Sequence, residues 1–74
     1  MDRVDAMHVF TRVFERRSFA AAAEDLNLPS STVSDVIKKL ESRIGVVLLE
    51  RTTRQVTPTI DGEAFYQRCL SIIQ

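Results

Sequence analysis

The sequence predicts a mainly α-helical domain: three core helices, a two-stranded hairpin and a further helix at the C-terminus. Three observations predict it. Apolar residues recur at steps of three and four in four separate stretches, the period of a helix with one buried face. Between the third and fourth stretches the pattern changes to a β-branched run, a polar segment and a second β-favouring piece, as in a hairpin. The breaks are few and local, with only 2 Gly and 2 Pro in 74 residues.

The first helix is expected from Arg3 to Glu15, with Val4, Met7, Phe10, Val13 and Phe14 as its apolar stripe. Asp2 is placed to cap it, and Arg16-Arg17 close it where cations suit the helix dipole. The second runs from Ser18, its cap, to about Leu26. Phe19, Ala22, Ala23 and Leu26 face inward, and the Ala20–Ala23 block lets another helix approach closely. Asn27-Leu28-Pro29 ends it, since proline disfavours helix in the residue before it. The third helix starts near Ser30 or Ser31, or at a capping box over Thr32–Asp35, and runs to about Ile44. Val33, Val36, Ile37, Leu40 and Ile44 are its apolar stripe, and Gly45 terminates it. Val46–Leu49 and Gln55–Thr57 are the two expected strands, with Glu50–Arg54 as a polar tip. Pro58 ends the hairpin. Thr59 caps a fourth helix from Ile60 onward, whose apolar positions are Ala64, Phe65, Cys69, Leu70, Ile72 and Ile73.

Composition narrows the class. Hydrophobic residues make up 45% and charged residues 27%, which excludes disordered, collagen-like and low-complexity chains. A chain this short buries only about 60–65% of its unfolded surface, so a partner or second copy would help it. Its single cysteine, Cys69, excludes an internal disulfide framework and a Cys-rich zinc site, and fits a reducing, cytosolic compartment; within its apolar helical pattern it reads as a small core or interface residue. No apolar run approaches the ~18 residues of a membrane span, and Met1–Asp5 lacks the character of a secretory signal. His8 has no Cys, His or carboxylate partner at metal-ligand spacing, and there is no Gly-rich phosphate loop. No catalytic, metal-binding or cofactor-binding residue is therefore assigned, and the chain reads as a binding module.

Two helices joined by Asn27-Leu28-Pro29 are the parts of a helix-turn-helix, whose second helix lies in the DNA major groove while the first crosses behind it. The outer face of the third helix carries Ser31, Ser34, Asp35, Lys38 and Lys39. Ser30, Ser31 and Thr32 occupy its first turn, where orphan N–H groups also suit a phosphate. The hairpin is then a wing, and Arg51 and Arg54 on it would reach the flanking backbone or a narrow, A·T-rich minor groove. The formal net charge is zero, but Leu28–Thr57 carries five cations against three anions, and the remainder is correspondingly acidic. That weak polarity predicts modest non-specific affinity and a shallow salt dependence for one copy.

The sequence resembles the N-terminal DNA-binding domain of LysR-type transcriptional regulators over nearly its whole length. The resemblance is carried by Ser18–Leu26, by Ser31-Thr32-Val33-Ser34 with Ile37 and Leu40-Glu41, and by Ile44-Gly45-Val46. It continues through Leu48–Arg54, Thr57-Pro58-Thr59 and Gly62. All of these in order, at these separations, are highly specific. Phe65–Cys69 is similar to the linker-helix start of one branch of the family. The resemblance implies a bacterial, cytoplasmic, nucleoid-associated regulator. Residues 1–59 would form the winged helix-turn-helix and residues 60–74 the start of a linker and dimerisation helix. It further implies an effector-binding domain, absent from this chain, through which alone a small-molecule inducer would act. Self-association as a homodimer, often a tetramer in full-length members, is implied too, with Phe65, Cys69, Leu70, Ile72 and Ile73 as the contact residues here. The family's base-contacting positions fall on Ser30, Ser31 and Asp35, with Thr32, Ser34, Arg51 and Thr52 near phosphates and Arg54 at the wing tip.

Three positions depart from the family pattern. Many members have Gln at Ser30, Arg at Asp35 and Gly at Arg17. Asp35 either reads a cytosine edge, or orients a neighbouring cation, or makes no contact. The increasingly apolar last helix packs on its own domain, pairs with another chain, or continues into a longer one; dimerisation with truncation is the favoured expectation. A reading from a different class is a winged helix that docks proteins through that last helix without binding DNA. Balanced charge and Asp35 are its support.

Overall fold

The computed structural model describes residues 3–52 and 55–73, the first two of them by backbone alone. The elements run α1 (Arg3–Arg16), α2 (Phe19–Leu26), α3 (Ser30–Ile44), β1 (Leu49–Arg51), β2 (Val56–Pro58) and α4 (Ile60–Ile73). The expected Asp2 cap, the Val4 side chain and the Arg54 wing tip lie outside the described residues.

Helix α1 is the centre of the core, packed against α2, α3 and α4. Met7, Phe10 and Val13 are buried as the stripe predicts, and Val9 and Thr11 are buried with them. Thr11 is tolerated there because its hydroxyl donates to the His8 carbonyl at 2.9 Å. Arg17 ends the helix at φ 52°, in the left-handed region. There its Nε donates to the Phe14 carbonyl at 2.8 Å, and its guanidinium lies 5.1 Å from the Phe14 ring centroid. The chain thus makes, with an arginine held in place by local contacts, a turn that glycine takes more cheaply.

The start of α2 is capped by Ser18, whose Oγ accepts from the Ala21 N–H at 3.1 Å. Ala22 and Ala23 are buried and allow the close approach read from the sequence. Asn27 adopts φ 57°, and the Leu28 N–H reaches back to the Ala23 carbonyl at 2.9 Å. This closure, common at helix C-termini, turns the chain directly into α3. Pro29 takes the N-cap position without a side-chain cap bond. The Thr32–Asp35 capping box therefore does not form; no side chain caps α3, and the Thr32 and Val33 N–H groups bond the Pro29 carbonyl at 3.1 and 3.2 Å. Helix α3 ends at Gly45, φ 86°, whose N–H bonds the Glu41 carbonyl at 2.7 Å.

The hairpin forms, with its strands shifted from the expected bounds. Val46–Leu48 are not in a strand. The Glu41 Oε2 accepts from the Leu48 and Leu49 N–H groups at 2.8 and 3.2 Å, and Leu48 is buried in the core. These two constraints hold the approach to the wing, so the antiparallel ladder starts at Leu49↔Pro58 and continues through Glu50↔Thr57 to Arg51↔Val56. Thr52 and Gln55 close the tip through Thr52 N–H to Gln55 C=O at 2.9 Å and Gln55 N–H to Thr52 Oγ1 at 3.0 Å.

Thr59 caps α4 as expected, its Oγ1 accepting from the Gly62 N–H at 2.9 Å while donating to the Val47 carbonyl at 2.6 Å. Gly62 allows this closeness, because a Cβ there would lie 2.0 Å from the Leu48 carbonyl oxygen. Helix α4 then packs back along α1. Phe65 meets Phe10 edge-on at 5.2 Å, and Tyr66 stacks on Phe14 at 3.9 Å. The Tyr66 hydroxyl donates to Glu15 at 2.5 Å. Two expectations are corrected here. Cys69 has no exposed surface; the α1–α4 packing encloses it, so it is a core residue and offers nothing to a second copy. Ile44, expected on the inner face of α3, is 42% exposed, because it lies in the last turn, where neighbouring elements no longer cover it.

Candidate nucleic-acid interface

Burial sorts α3 into two faces. Val33, Ile37 and Leu40 are buried and fix the helix against the core. Ser31, Asp35, Lys38 and Ser42, at steps of four, three and four, are all exposed and form one outward ridge. Ser30 and Lys39 are exposed beside it, whereas Thr32 and Ser34 are half-buried on its flanks. At the N-terminal end of the ridge, where no side chain caps α3, lies the positive end of the helix dipole.

The wing is tied to this ridge by Arg51. Its Nη2 donates to Ser34 Oγ at 2.8 Å, and its guanidinium lies over the Phe19 ring, 3.8 Å from the centroid. One strand residue thus joins the start of α2, the first turns of α3 and the wing. Arg51 keeps further N–H donors after the Ser34 bond, and beside it Arg17, Ser18, Phe19, Thr52 and Gln55 line a shallow dent of about 240 Å³. Two cations next to the capped N-terminus of α2 suit the oxygens of a phosphate. On the other flank of α3, Asp35, Lys39 and Arg43 rim an open groove of about 680 Å³ floored by Met7, Leu40 and Phe65.

Of the residues expected to meet DNA, the fold brings Ser30, Ser31, Asp35, Lys38 and Lys39 to one exposed side, with Arg51 and Thr52 beside them on the wing. Ser34 is partnered within the chain by Arg51. Phe19 was read only as an inner-face residue; its place at the first position of α2 is the signal that its ring lies at the rim, where Arg51 uses it. Glu41 enters the sequence reading only as part of the family resemblance; its carboxylate, three turns into α3 and just before the wing, anchors the wing's first amides. Among the apolar residues expected at a dimer contact, Ile72 is 57% exposed, and Phe65, Leu70 and Ile73 are half-buried.

Burial pushes the Cys69 thiol up to about 11, and the Glu15 hydrogen bond, followed by burial, raises the Tyr66 phenol. Both groups belong to the α1–α4 packing and stand away from the ridge. Among the described residues no group of three or more His, Cys, Asp or Glu side chains is placed to hold a metal ion. No described helix is long and apolar enough to cross a membrane.

Three helices, an alanine-lined helix-turn-helix and a short antiparallel wing define a winged helix-turn-helix. A profile of the family described as bacterial regulatory helix-turn-helix proteins of the LysR family matches residues 4–63, and the chain belongs to that family. It is 42% identical over its full 74 residues to an HTH-type transcriptional repressor of Pseudomonas aeruginosa, covering 23% of that protein. It is 43% identical over 70 residues to the HTH-type transcriptional regulator CrgA of Neisseria meningitidis, with 95% of this chain and 23% of that protein covered. The chain thus spans about a quarter of the length of these relatives. Among solved structures, the BenM DNA-binding domain bound to catB site 1 DNA superposes with a TM-score of 0.92 at 34% identity, over 99% of this chain and 81% of that one. The CbnR DNA-binding domain in its DNA complex gives 0.93 at 33% identity, over 99% and 83%.

Proposed function

We propose that this chain is the sequence-specific DNA-binding module of a transcription regulator, with α3 in the major groove and the wing on the adjacent backbone or minor groove. The observation that carries the reading is the exposed ridge Ser31–Asp35–Lys38–Ser42, held outward by the buried Val33, Ile37 and Leu40 and clasped to the wing by Arg51. Ser30, Ser31 and Asp35 meet base edges. Thr32, Ser34, Arg51 and Thr52, with the uncapped first turn of α3, lie along phosphates, and Lys38 and Lys39 add charge. The BenM and CbnR domains, alike in fold over almost all of this chain, are solved on DNA, which supports the same role here.

Residues 1–59 make the DNA-binding unit and residues 60–74 begin a helix through which two copies associate. Ile72, with Leu70 and Ile73 beside it, forms the apolar edge available for that contact. A two-fold pair of such domains reads half-sites separated by about one helical turn or a multiple of it. The module acts in the bacterial cytoplasm, at the nucleoid, and has no catalytic role of its own. Control by a small molecule belongs to a separate effector domain.

A salt titration of binding to duplex DNA tests this. With about three phosphates neutralised per subunit, log K falls against log salt with a slope of about −3. A chain that fails to bind any duplex at low salt, while retaining its fold, is a protein-docking module and the proposal is wrong.

A further inference from the structure

We infer that Asp35 makes the half-site require a cytosine, by accepting a hydrogen bond from that base's N4 amino group. This inference rests on the reading of α3 as the groove-facing helix and specifies what that helix reads. Asp35 lies one turn after Ser31 and one before Lys38 in the middle of the exposed ridge. Among the described residues its carboxylate makes no ion pair, although Lys38 and Lys39 follow it on the same helix and Lys39 and Arg43 rim the same groove. No described cation therefore holds it as an orienting partner. The other polar side chains of the ridge are two serine hydroxyls and one lysine, so Asp35 is its only acceptor-only group.

An ionised carboxylate needs a donor and is repelled by lone pairs. In the major groove guanine shows two acceptors, N7 and O6, and thymine shows O4 and a methyl group. Adenine offers its N6 amino group but sets the N7 lone pair beside it. Cytosine offers its N4 amino group beside a C5–H, with no lone pair facing the second carboxylate oxygen. The chemistry at the centre of the ridge thus selects cytosine over the other three bases.

The test is selection of bound sites from a randomised duplex pool, run in parallel with the parent chain, Asp35→Asn and Asp35→Ala. The parent is expected to enrich one cytosine position at least about tenfold over any other base there. Asp35→Asn is expected to move that position towards adenine, since the amide supplies both a donor for N7 and an acceptor for N6. Asp35→Ala is expected to lose preference at that position and keep it elsewhere. An Asp35→Asn profile identical to the parent's overturns the inference while leaving DNA binding intact. No enriched sequence with any of the three proteins overturns the DNA-binding reading, and this inference falls with it.

Discussion

Gly62 and Gly45 show how differently one residue type is used within a single small chain. Gly62 sits in the first turn of α4, where a Cβ would overlap the Leu48 carbonyl oxygen at 2.0 Å, a backbone atom that cannot swing away. Gly45 has φ +86° and open space around the missing Cβ, so only backbone strain opposes a side chain. In urea denaturation, Gly45→Ala is expected to lose about 1–2 kcal/mol, and Gly62→Ala upward of about 3 kcal/mol because wing and helix must separate. Equal losses would mean that the Leu48–Gly62 contact does not hold the wing. Cys69 carries a prediction about pH. The unfolded thiol titrates near its usual 9.0, whereas the folded one keeps its proton to about 11. Between these values the unfolded state binds fewer protons, so the stabilisation is complete below pH 9 and is lost as pH rises through 11. The loss is about 2–3 kcal/mol at most, with a further loss of the same sign from Tyr66. Melting curves from pH 8 to about 11 should show this decline in the parent and a smaller one in Cys69→Ala. At this scale the caps were legible in the sequence, because Ser18, Thr59 and Gly45 act through backbone a few residues away. Ile44 was not, and Cys69 was legible only as core or interface. Periodicity marks both as apolar positions, but which neighbour covers them depends on where α1 and α4 end up.

The elements themselves follow their hydrophobic period closely, and the differences between expectation and structure have one source. The wing was expected from Val46 because Val46–Leu49 is the β-branched run. The strand begins at Leu49 because Glu41 takes the Leu48 and Leu49 amides and Leu48 enters the core. A carboxylate on one element reaching the backbone of another leaves no local trace in the pattern. The same holds for the Arg51 clasp, which spans α2, α3 and β1 through Phe19 and Ser34. If this clasp sets the wing against the reading helix, Arg51→Ala should weaken duplex binding about five- to tenfold with little change in melting temperature. Because one bond couples Ser34 to Arg51, the double variant Ser34→Ala/Arg51→Ala should lose less affinity than the two single losses summed. Additive losses, measured by anisotropy titration, would show that the two phosphate contacts are independent and that the clasp does not couple them.

For the whole molecule, a Cα radius of gyration of 11.1 Å agrees with the ~11 Å expected of a folded globule of this length. The last helix is therefore part of the globule: its Phe65, Tyr66 and Cys69 side packs on α1, and its Ile72 side stays exposed. Net neutrality suits the proposed module, with its charge arranged locally and its affinity raised by pairing two copies. The winged helix-turn-helix was legible because its turn, its alanine block and its caps are sequence-local. The tertiary ties that aim the ridge and the wing, through Glu41 and Arg51, were not. In the proposed function the Ser31–Ser42 ridge of α3, with Arg51 beside it, is the surface that meets base pairs. Amide chemical-shift mapping of the nitrogen-labelled chain against a selected duplex tests this most directly. The largest shifts are expected at Ser30–Ser31, Asp35, Lys38 and Arg51, with Met7 and Ile44 unmoved. Shifts centred on the Met7–Ile44 groove or on Ile72, with the α3 ridge silent, would contradict it.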